Sequence, residues 1–517
     1  MTIINVHTHV HVITTTKLQE RLKPLRREVV HSSGLERLNA PFTARLVAMF
    51  TLSFFTPQQL ANIRIYEKPL VRAPELAFIY SKRLRAYICW SPLVGRAYLL
   101  NESEYKFVTS YKVLPDNAPL SYARSLLYVP ERVVSSLYPR RFTLEFNPRH
   151  LTIFVTTKCN LRCKYCYGLG GWVEAPDVDV DVAKWLIDEF NFQDITFHGW
   201  GEPTLLWDTI VELTEYAKKK GIKRFGVGTN GVFPEKKRAE MVKYLAENKF
   251  SITLSFDPPP EVHDKQRVFP DGSGSSKHVI ETMKELARIG YHRFVGVRAT
   301  VTEGGVDKML EGAMWLKSMG YNSLKYEPMW ATGRALVLLK KMNDPYVTPP
   351  NMRKFADELI KTRLWAERNK MRVDSTLFPF YPPKSAFCAV CNVGGLVLHN
   401  NNLLGTCWEE NWTPDWTPDT PFTLGRVKIQ NDGSKVKMTL EIDYSKVFQL
   451  KQRSVHNLEG CLRCPVKWGC GGGCPKKAHS NYGDLMRSGE REDYCDTRRY
   501  ILWRYLEEKF AEAIGRK

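Results

Sequence analysis

Between residues 150 and 330, short apolar runs alternate with stretches of helical periodicity, and this alternation limits the fold more than any other feature. The runs are Leu151–Val155, Asp194–Phe197, Arg224–Val227, Ser251–Phe256, Phe294–Val301 and Ser323–Tyr326. Between them lie segments such as Val182–Phe190, Thr209–Lys220 and His278–Ile289, where apolar residues recur at helical spacing. Parallel strands need a long crossover, which a helix supplies, so the pattern predicts βαβ units and an α/β class. Six such units make an incomplete, partial (β/α)6 TIM-type barrel. Chemistry in such folds gathers at the carboxyl ends of the strands.

The first run leads into Cys159-Asn-Leu-Arg-Cys163-Lys-Tyr-Cys166-Tyr. Three thiolates at this spacing can hold three irons of a 4Fe–4S cluster. The fourth iron would lack a protein ligand, and an open coordination position marks a catalytic metal site. A zinc knuckle short of one ligand, or three unrelated thiols, is the competing reading of the spacing alone. The chain has twelve cysteines: Cys89 stands apart, three lie at 159–166, and eight fall between 388 and 495. In an intracellular chain that distribution argues for metal rather than disulfides. The eight are Cys388, Cys391, Cys407, Cys461, Cys464, Cys470, Cys474 and Cys495, enough to ligate two 4Fe–4S clusters fully. Their Cys-x2-Cys pairs would also suit structural zinc. Gly471–Gly473 would let the backbone wrap closely around inorganic sulfide.

The stretch Cys159–Tyr167, with Tyr165 just before the last cysteine, resembles the signature of radical S-adenosylmethionine (SAM) enzymes. The resemblance implies that Cys159, Cys163 and Cys166 are catalytic and hold a cluster whose free iron SAM chelates. The reduced cluster of that family cleaves SAM to a 5′-deoxyadenosyl radical. His198-Gly-Trp-Gly-Glu-Pro203 resembles the family's Gly-Gly-Glu-Pro motif, with Trp200 in place of the first glycine. Gly201, Glu202 and Pro203 carry over as the group that meets the SAM amino end. Gly228-Thr-Asn-Gly231 is a polar turn that puts Asn230 where a ribose could be contacted, although any tight turn favours Asn-Gly.

Leu254-Ser-Phe-Asp257-Pro with Glu261-Val-His-Asp-Lys-Gln-Arg267 resembles the Ser-x-Asp-Gly-Pro…His-Asp…Arg stretch of the family's maturase branch. Ser255 matches a SAM-contacting position there. Asp257, His263 and Arg267 read equally as caps and salt bridges. Arg298, central in the fifth run, suits the SAM carboxylate because a guanidinium binds carboxylates bidentately. Pairing with an acid such as Glu327 is the other account of it.

The C-terminal cysteines resemble the SPASM domain, which carries two auxiliary clusters. That resemblance implies Cys388, Cys391, Cys407 and Cys474 on one cluster and Cys461, Cys464, Cys470 and Cys495 on the other. Three 4Fe–4S clusters and SAM are the implied cofactors. In anaerobic sulfatase-maturating enzymes the position after the equivalent of Cys407 is an aspartate base. Here it is Trp408, followed by Glu409 and Glu410. The resemblance spans roughly residues 150–500.

The expected organisation is an N-terminal extension (1–60), an α+β cap (61–148), the radical SAM barrel (149–330), a connector (331–384) and the iron–sulfur domain (385–517). The cap rests on β-prone runs Ala77–Tyr80, Ala86–Trp90 and Ala97–Leu100, then a helix capped by Asn101. That order loosely resembles winged-helix peptide-recognition domains, and a purely structural cap fits it as well. The connector holds a helix over Met352–Lys370, started by Pro349 and Pro350. His7, His9 and His11 would share a strand face, a spacing more often incidental than metal-binding.

The formal net charge is +20, with 21 Lys+Arg against 10 Asp+Glu in residues 1–150. Such a surface suits an acidic peptide, RNA or another anion, or serves solubility alone. No RNA-binding motif is evident. No run approaches the ~18 apolar residues of a membrane span. Leu46–Phe55 reads as a buried element, and no secretory signal is seen, so the expected compartment is the cytoplasm. The implied activity is hydrogen abstraction from a peptide or protein side chain, leading to a crosslink, a thioether or oxidation of Ser or Cys. Flavodoxin or ferredoxin would donate electrons. The alternatives are a small-molecule substrate (a tetrapyrrole or sugar), RNA, or a non-enzymatic iron–sulfur electron-transfer module.

Overall fold

In chain order the N-terminal strands are β1 Thr2–Asn5, β2 Val12–Thr14, β3 Leu70–Arg72, β4 Ala77–Ser81, β5 Ala86–Ser91, β6 Arg96–Leu100 and β7 Tyr128–Pro130. They belong to a computed structural model that describes residues 2–5, 12–14, 70–72, 75–93, 95–111, 128–130, 145–409, 420–431, 436–489 and 492–515. His7, His9, His11, Glu410 and the run Leu46–Phe55 lie outside the described residues. Five of the strands form an antiparallel sheet in the order β2-β1-β6-β5-β4, and β3 pairs with β7. The helix Glu102–Ser110 follows β6. Asn101 accepts from the Glu104 amide while Glu104 accepts from the Asn101 amide, a capping box that satisfies two otherwise orphaned donors.

The next six strands are β8 His150–Phe154, β9 Asp194–His198, β10 Arg224–Thr229, β11 Ser251–Ser255, β12 Val295–Val301 and β13 Ser323–Pro328. They lie in sequential order and pair in parallel throughout, the α/β arrangement that the alternation predicts. Helices including Val180–Glu189, Trp207–Lys219, Arg238–Glu247, Ser276–Arg288 and Met309–Ser318 make the crossovers. Along β12, Val295, Val297, Ala299 and Val301 are buried while Gly296, Arg298 and Thr300 occupy the other face, as strand alternation requires.

The sheet continues past both edges. β14 Arg372–Asp374, within the stretch read as a connector, adds in parallel beside β13. β15 Gly395–Leu398 adds in parallel beside β8, and β16 Leu403–Gly405, β17 Thr423–Asn431 and β18 Val436–Ile442 extend that edge antiparallel. The helix Met352–Arg368 begins at Asn351 rather than at the prolines. Its side chain accepts from the Arg353 and Lys354 amides, whereas proline has no side-chain acceptor. The C-terminal helix Glu492–Ala513 ties the parts together. Tyr505 donates to Glu367 at 2.6 Å, and Glu507 and Glu508 receive Ser81 and Arg83 at 2.5 and 2.8 Å. One apolar core runs from Trp90 through the parallel sheet to Phe510. Among the described residues no helix is long and apolar enough to cross a membrane.

Candidate active site

The cysteine loop starts where β8 ends. Backbone pairing with the end of β9 continues into it: Val155 donates to the His198 carbonyl, Gly201 to Thr156 and Glu202 to Lys158, at 2.8 to 3.1 Å. The approach is so close that a Cβ on Gly201 would sit 2.0 Å from the Lys158 carbonyl oxygen, so only glycine fits. The far side of the loop is held by Arg334, only 2% exposed, whose guanidinium donates to the carbonyls of Cys163 (2.8 Å) and Gly170 (2.6 Å). Its amide donates to the Cys166 carbonyl at 2.9 Å. Nothing in the local sequence of Arg334 marks it for this role. It follows the last long strand by a glycine and a few loop residues, and only folding brings it to the cysteines.

A second set of contacts comes from the end of β11. Asp257 accepts from the Tyr165 hydroxyl, Gln266 (2.8 Å) and Arg267 (3.0 Å) through one oxygen, and from the Thr300 amide (2.8 Å) through the other. Its own amide donates to His263 Nδ1 at 3.2 Å, and His263 Nε2 meets Ser275 Oγ at 2.9 Å. Arg267 also lies 5.2 Å over the Tyr165 ring. Burial pushes His263 well below its ordinary range, so it stays neutral. Asp257, His263 and Arg267 thus form a buried scaffold behind the loop, and Tyr165 is fastened to it. The loop backbone adds two bonds to the same segment, Arg162 N to Val268 O (2.6 Å) and Lys164 N to Gln266 O (2.9 Å).

Glu202 caps the short helix Pro203–Leu206 and is 2% exposed. Its carboxylate accepts from Thr204 N and Oγ1, from Thr229 Oγ1 at 2.7 Å and from Asn230 N at 2.7 Å. Burial raises its pKa, and these four bonds pull it back. Asn230, positioned in this way, donates through Nδ2 to Asn160 Oδ1 at 2.7 Å and lies 3.9 Å from Cys159 Sγ. Trp200, where the motif has glycine, is accommodated because its side chain turns away into a cluster with Phe154, Val397 and Leu403.

Ser255 is half-buried at the end of β11 and stands in register with Arg298 on β12. Arg298 is exposed and its guanidinium lies 4.0 Å from Glu409, whereas Glu327 takes Lys325 at 3.2 Å and the Thr376 amide at 2.9 Å. Tyr167 is partly buried against Phe154, Trp200, Val397 and Leu403. Burial raises its pKa, and Glu409, Cys166, Arg298 and Cys407 all act on it electrostatically. Trp408 is exposed, its ring 5.2 Å from that of His198.

The thiols of the loop are half-buried, and desolvation raises Cys163 to about 11 while Arg267 and Arg334 oppose the rise. Cys159 is raised further, by burial first and then by Cys163 and Glu202. Thiols so placed become thiolates only when strong positive charge is supplied, which suits binding to iron. Among the described residues no three His, Cys, Asp or Glu side chains converge as a single metal ion would require.

The C-terminal cysteines separate by electrostatic neighbourhood. Cys388 is raised through its contact with Cys391, by burial and by Cys474. Burial raises Cys461 to about 12 with Cys470, Cys464 and Cys495 adding to it, and Cys495 to about 11 with Cys470 and Cys464 adding. None of the twelve cysteines forms a disulfide. Arg453, 1% exposed, donates to the carbonyls of Arg487 (2.8 Å), Gly472 (3.1 Å), Gly473 (3.4 Å) and Gly489 (3.4 Å), and to Leu485. It holds the Cys470–Cys474 turn, in which Gly471, Gly472 and Gly473 all have positive φ.

Residues 153–314 match the Radical SAM superfamily. The tungsten-containing aldehyde ferredoxin oxidoreductase cofactor-modifying protein of Pyrococcus furiosus is 27% identical over 34% of this chain and 50% of its own length. The antilisterial bacteriocin subtilosin biosynthesis protein AlbA of Bacillus subtilis is 27% identical over 38% of this chain and 43% of its own. The chain thus spans about half the length of these curated relatives. The solved structure described as native anSMEcpe with bound AdoMet superposes with a TM-score of 0.54 at 18% identity, covering 72% of this chain and all of that one.

Proposed function

We propose, from the premise that residues 153–314 form a radical SAM domain, that this chain is an enzyme that cleaves SAM to abstract hydrogen from a peptide or protein side chain. The observation that carries the reading is a single loop, Cys159–Cys166, with three half-buried thiols fastened at the carboxyl ends of six sequential parallel strands. Cys159, Cys163 and Cys166 would hold a 4Fe–4S cluster. When bound, that cluster supplies the electron that breaks a carbon–sulfur bond of SAM and so yields the 5′-deoxyadenosyl radical.

The chain's own residues position and exclude. Gly201 and Pro203 give the SAM amino end a close backbone approach. Glu202 fixes Asn230 beside Cys159, and Ser255 and Arg298 receive the rest of SAM from the exposed strand face. Tyr165, held by Asp257, keeps the last thiol in place. Placing the substrate carbon near the radical and shutting out water is the remaining work of the site.

The same reading takes residues 149–330 as a partial (β/α)6 barrel, 61–148 as an α+β cap and 385–517 as a SPASM domain. Cys388, Cys391, Cys407 and Cys474 would hold one auxiliary cluster, and Cys461, Cys464, Cys470 and Cys495 the other. Peptide modification is favoured over a small-molecule substrate because one relative serves bacteriocin biosynthesis and because the basic surface suits an acidic peptide. The electron donor would be flavodoxin or ferredoxin, and the compartment the cytoplasm.

The test is 5′-deoxyadenosine formation by anaerobically reconstituted protein given SAM and a strong reductant, beside a Cys159→Ala control. Nucleoside from the wild type alone is expected. Iron-replete protein that neither binds SAM nor forms nucleoside would overturn the reading.

A further inference from the structure

We infer that the outer face of the cysteine loop, built on Trp172 and the helix Arg334–Leu339, is the docking surface for a small acidic one-electron carrier protein. This rests on the proposed function and specifies where its electron enters.

Trp172 is 47% exposed and lies on Arg334, whose guanidinium is 4.5 Å from the ring centroid. Arg334 bonds the Cys163 carbonyl at 2.8 Å, and its amide bonds that of Cys166 at 2.9 Å. It is therefore the side chain that joins the exposed ring to the place where the cluster would sit. Gly170 closes the link from the other side. A Cβ there would lie 3.2 Å from the Cys159 Cβ, and its carbonyl accepts from Arg334 at 2.6 Å.

The helix that begins at Arg334 turns Leu336 (48% exposed) and Val337 outward, and one turn on come Lys340 and Lys341, both exposed. An exposed tryptophan stacked on the residue that starts a helix with exposed aliphatics has the composition of an interface centre, and the lysines one turn on form a rim. Arg334 is buried and Lys164 pairs with Asp344 at 2.7 Å, which leaves Arg162, Lys340 and Lys341 against Glu174, a net positive face. That charge selects an acidic partner and steers its approach, and small redox encounters use interfaces of this modest size. The step is one electron: the reduced carrier loses it, the cluster gains it, and no bond or proton is exchanged.

The experiment uses reconstituted full-length protein and reduced ferredoxin. Bleaching of the cluster is followed by stopped flow, and ferredoxin affinity is measured by calorimetry. Trp172→Ala and the double variant Lys340→Glu/Lys341→Glu should each slow ferredoxin-driven bleaching by about tenfold or more, with weaker binding, and the charge reversal should remove most of its salt dependence. Dithionite-driven bleaching and the iron content should stay as in the wild type. An unchanged ferredoxin rate in both variants would overturn the surface. So would equal loss with dithionite, which would make Trp172 a support of the loop. Failure of the wild type itself to assemble a reducible cluster would instead overturn the proposed function.

Discussion

The two cysteine regions of this chain are held by the same device and differ in what surrounds it. In each, one buried arginine reaches backbone carbonyls: Arg334 takes those of Cys163 and Gly170, and Arg453 takes those of Gly472, Gly473 and their neighbours. A guanidinium can satisfy several carbonyls of a tight turn at once, which no single neutral side chain can do. The surroundings diverge. The 159–166 loop gathers three thiols from eight residues and is braced by the ends of β9, β10 and β11 through Gly201, Asn230 and Asp257. The C-terminal cysteines are drawn from 388 to 495, on chain with few strands, and the N-terminal unit helps to hold them. Lys467 meets Glu75 at 2.6 Å, and Trp90 donates to the Pro465 carbonyl at 3.0 Å. The contrast teaches that a catalytic loop can take its precision from a rigid sheet, whereas a scattered thiol set depends on contacts between distant units.

The sharpest challenge to this comparison is an exchange of arginine variants. Arg334→Met should cost about four irons per chain and abolish nucleoside formation while the C-terminal set keeps its metal, and Arg453→Met should show the opposite iron loss. Iron analysis with electron paramagnetic resonance separates the cases. Equal loss from both variants would mean that the regions fold as one.

Next in size is Asp257→Asn, which leaves Arg267 as an unpaired buried charge and loosens Tyr165. A loss of about 3–5 kcal/mol is expected by chemical unfolding, with the damage confined to the 159–166 loop.

Acid should act on both regions, since burial also lowers His456 and His479 near the second. In the first, burial lowers His198 to about 4 from 6.5, with Arg298 adding to the effect, and holds His263 well below its ordinary range. The unfolded chain therefore takes up protons first. Stability is intact above pH 7 and falls between about pH 6.5 and 4, with His198 alone contributing roughly 3 kcal/mol. Thermal unfolding at pH 7 and 4.5 reads this. His198→Gln should shrink the difference, and an unchanged difference would remove His198 from the account. The smallest effect is expected for Glu75→Gln. It weakens the contact with Lys467 by about 1–2 kcal/mol, and hydrogen exchange should report loosening around Cys464–Cys470 and none around Cys159.

Much of the parallel sheet was legible because strand and helix periodicities are local properties. The six apolar runs fall within two residues of β8 to β13 at nearly every end. Asn101 was legible as a cap for the same reason, since a capping box spans four residues. The cysteine loop was legible from its spacing as a candidate metal site, with zinc as the competing reading. Other features could not be read in this way. Trp200 departs from its motif, and only the packing of β15 and β16 against Phe154 reveals where its side chain goes. Glu202 reads as an acid awaiting a ligand, yet its four bonds go to Thr204, Thr229 and Asn230. The ion-pair contact of Arg298 is with Glu409, while it acts on Glu327 only at longer range, because residues 405–409 return over the strand ends from the far edge of the sheet.

By itself, then, the sequence determined the elements whose causes lie within a dozen residues: the periodic strands and helices, the caps and the Cys-x3-Cys-x2-Cys spacing. Tertiary structure alone decided which buried charges meet. Arg334 with Cys163, Asp257 with Tyr165, Arg453 with Gly472 and Glu75 with Lys467 join positions from 19 to 392 residues apart. The physical reason is that a buried polar group must find a partner wherever folding brings one, and chain distance places no limit on that search.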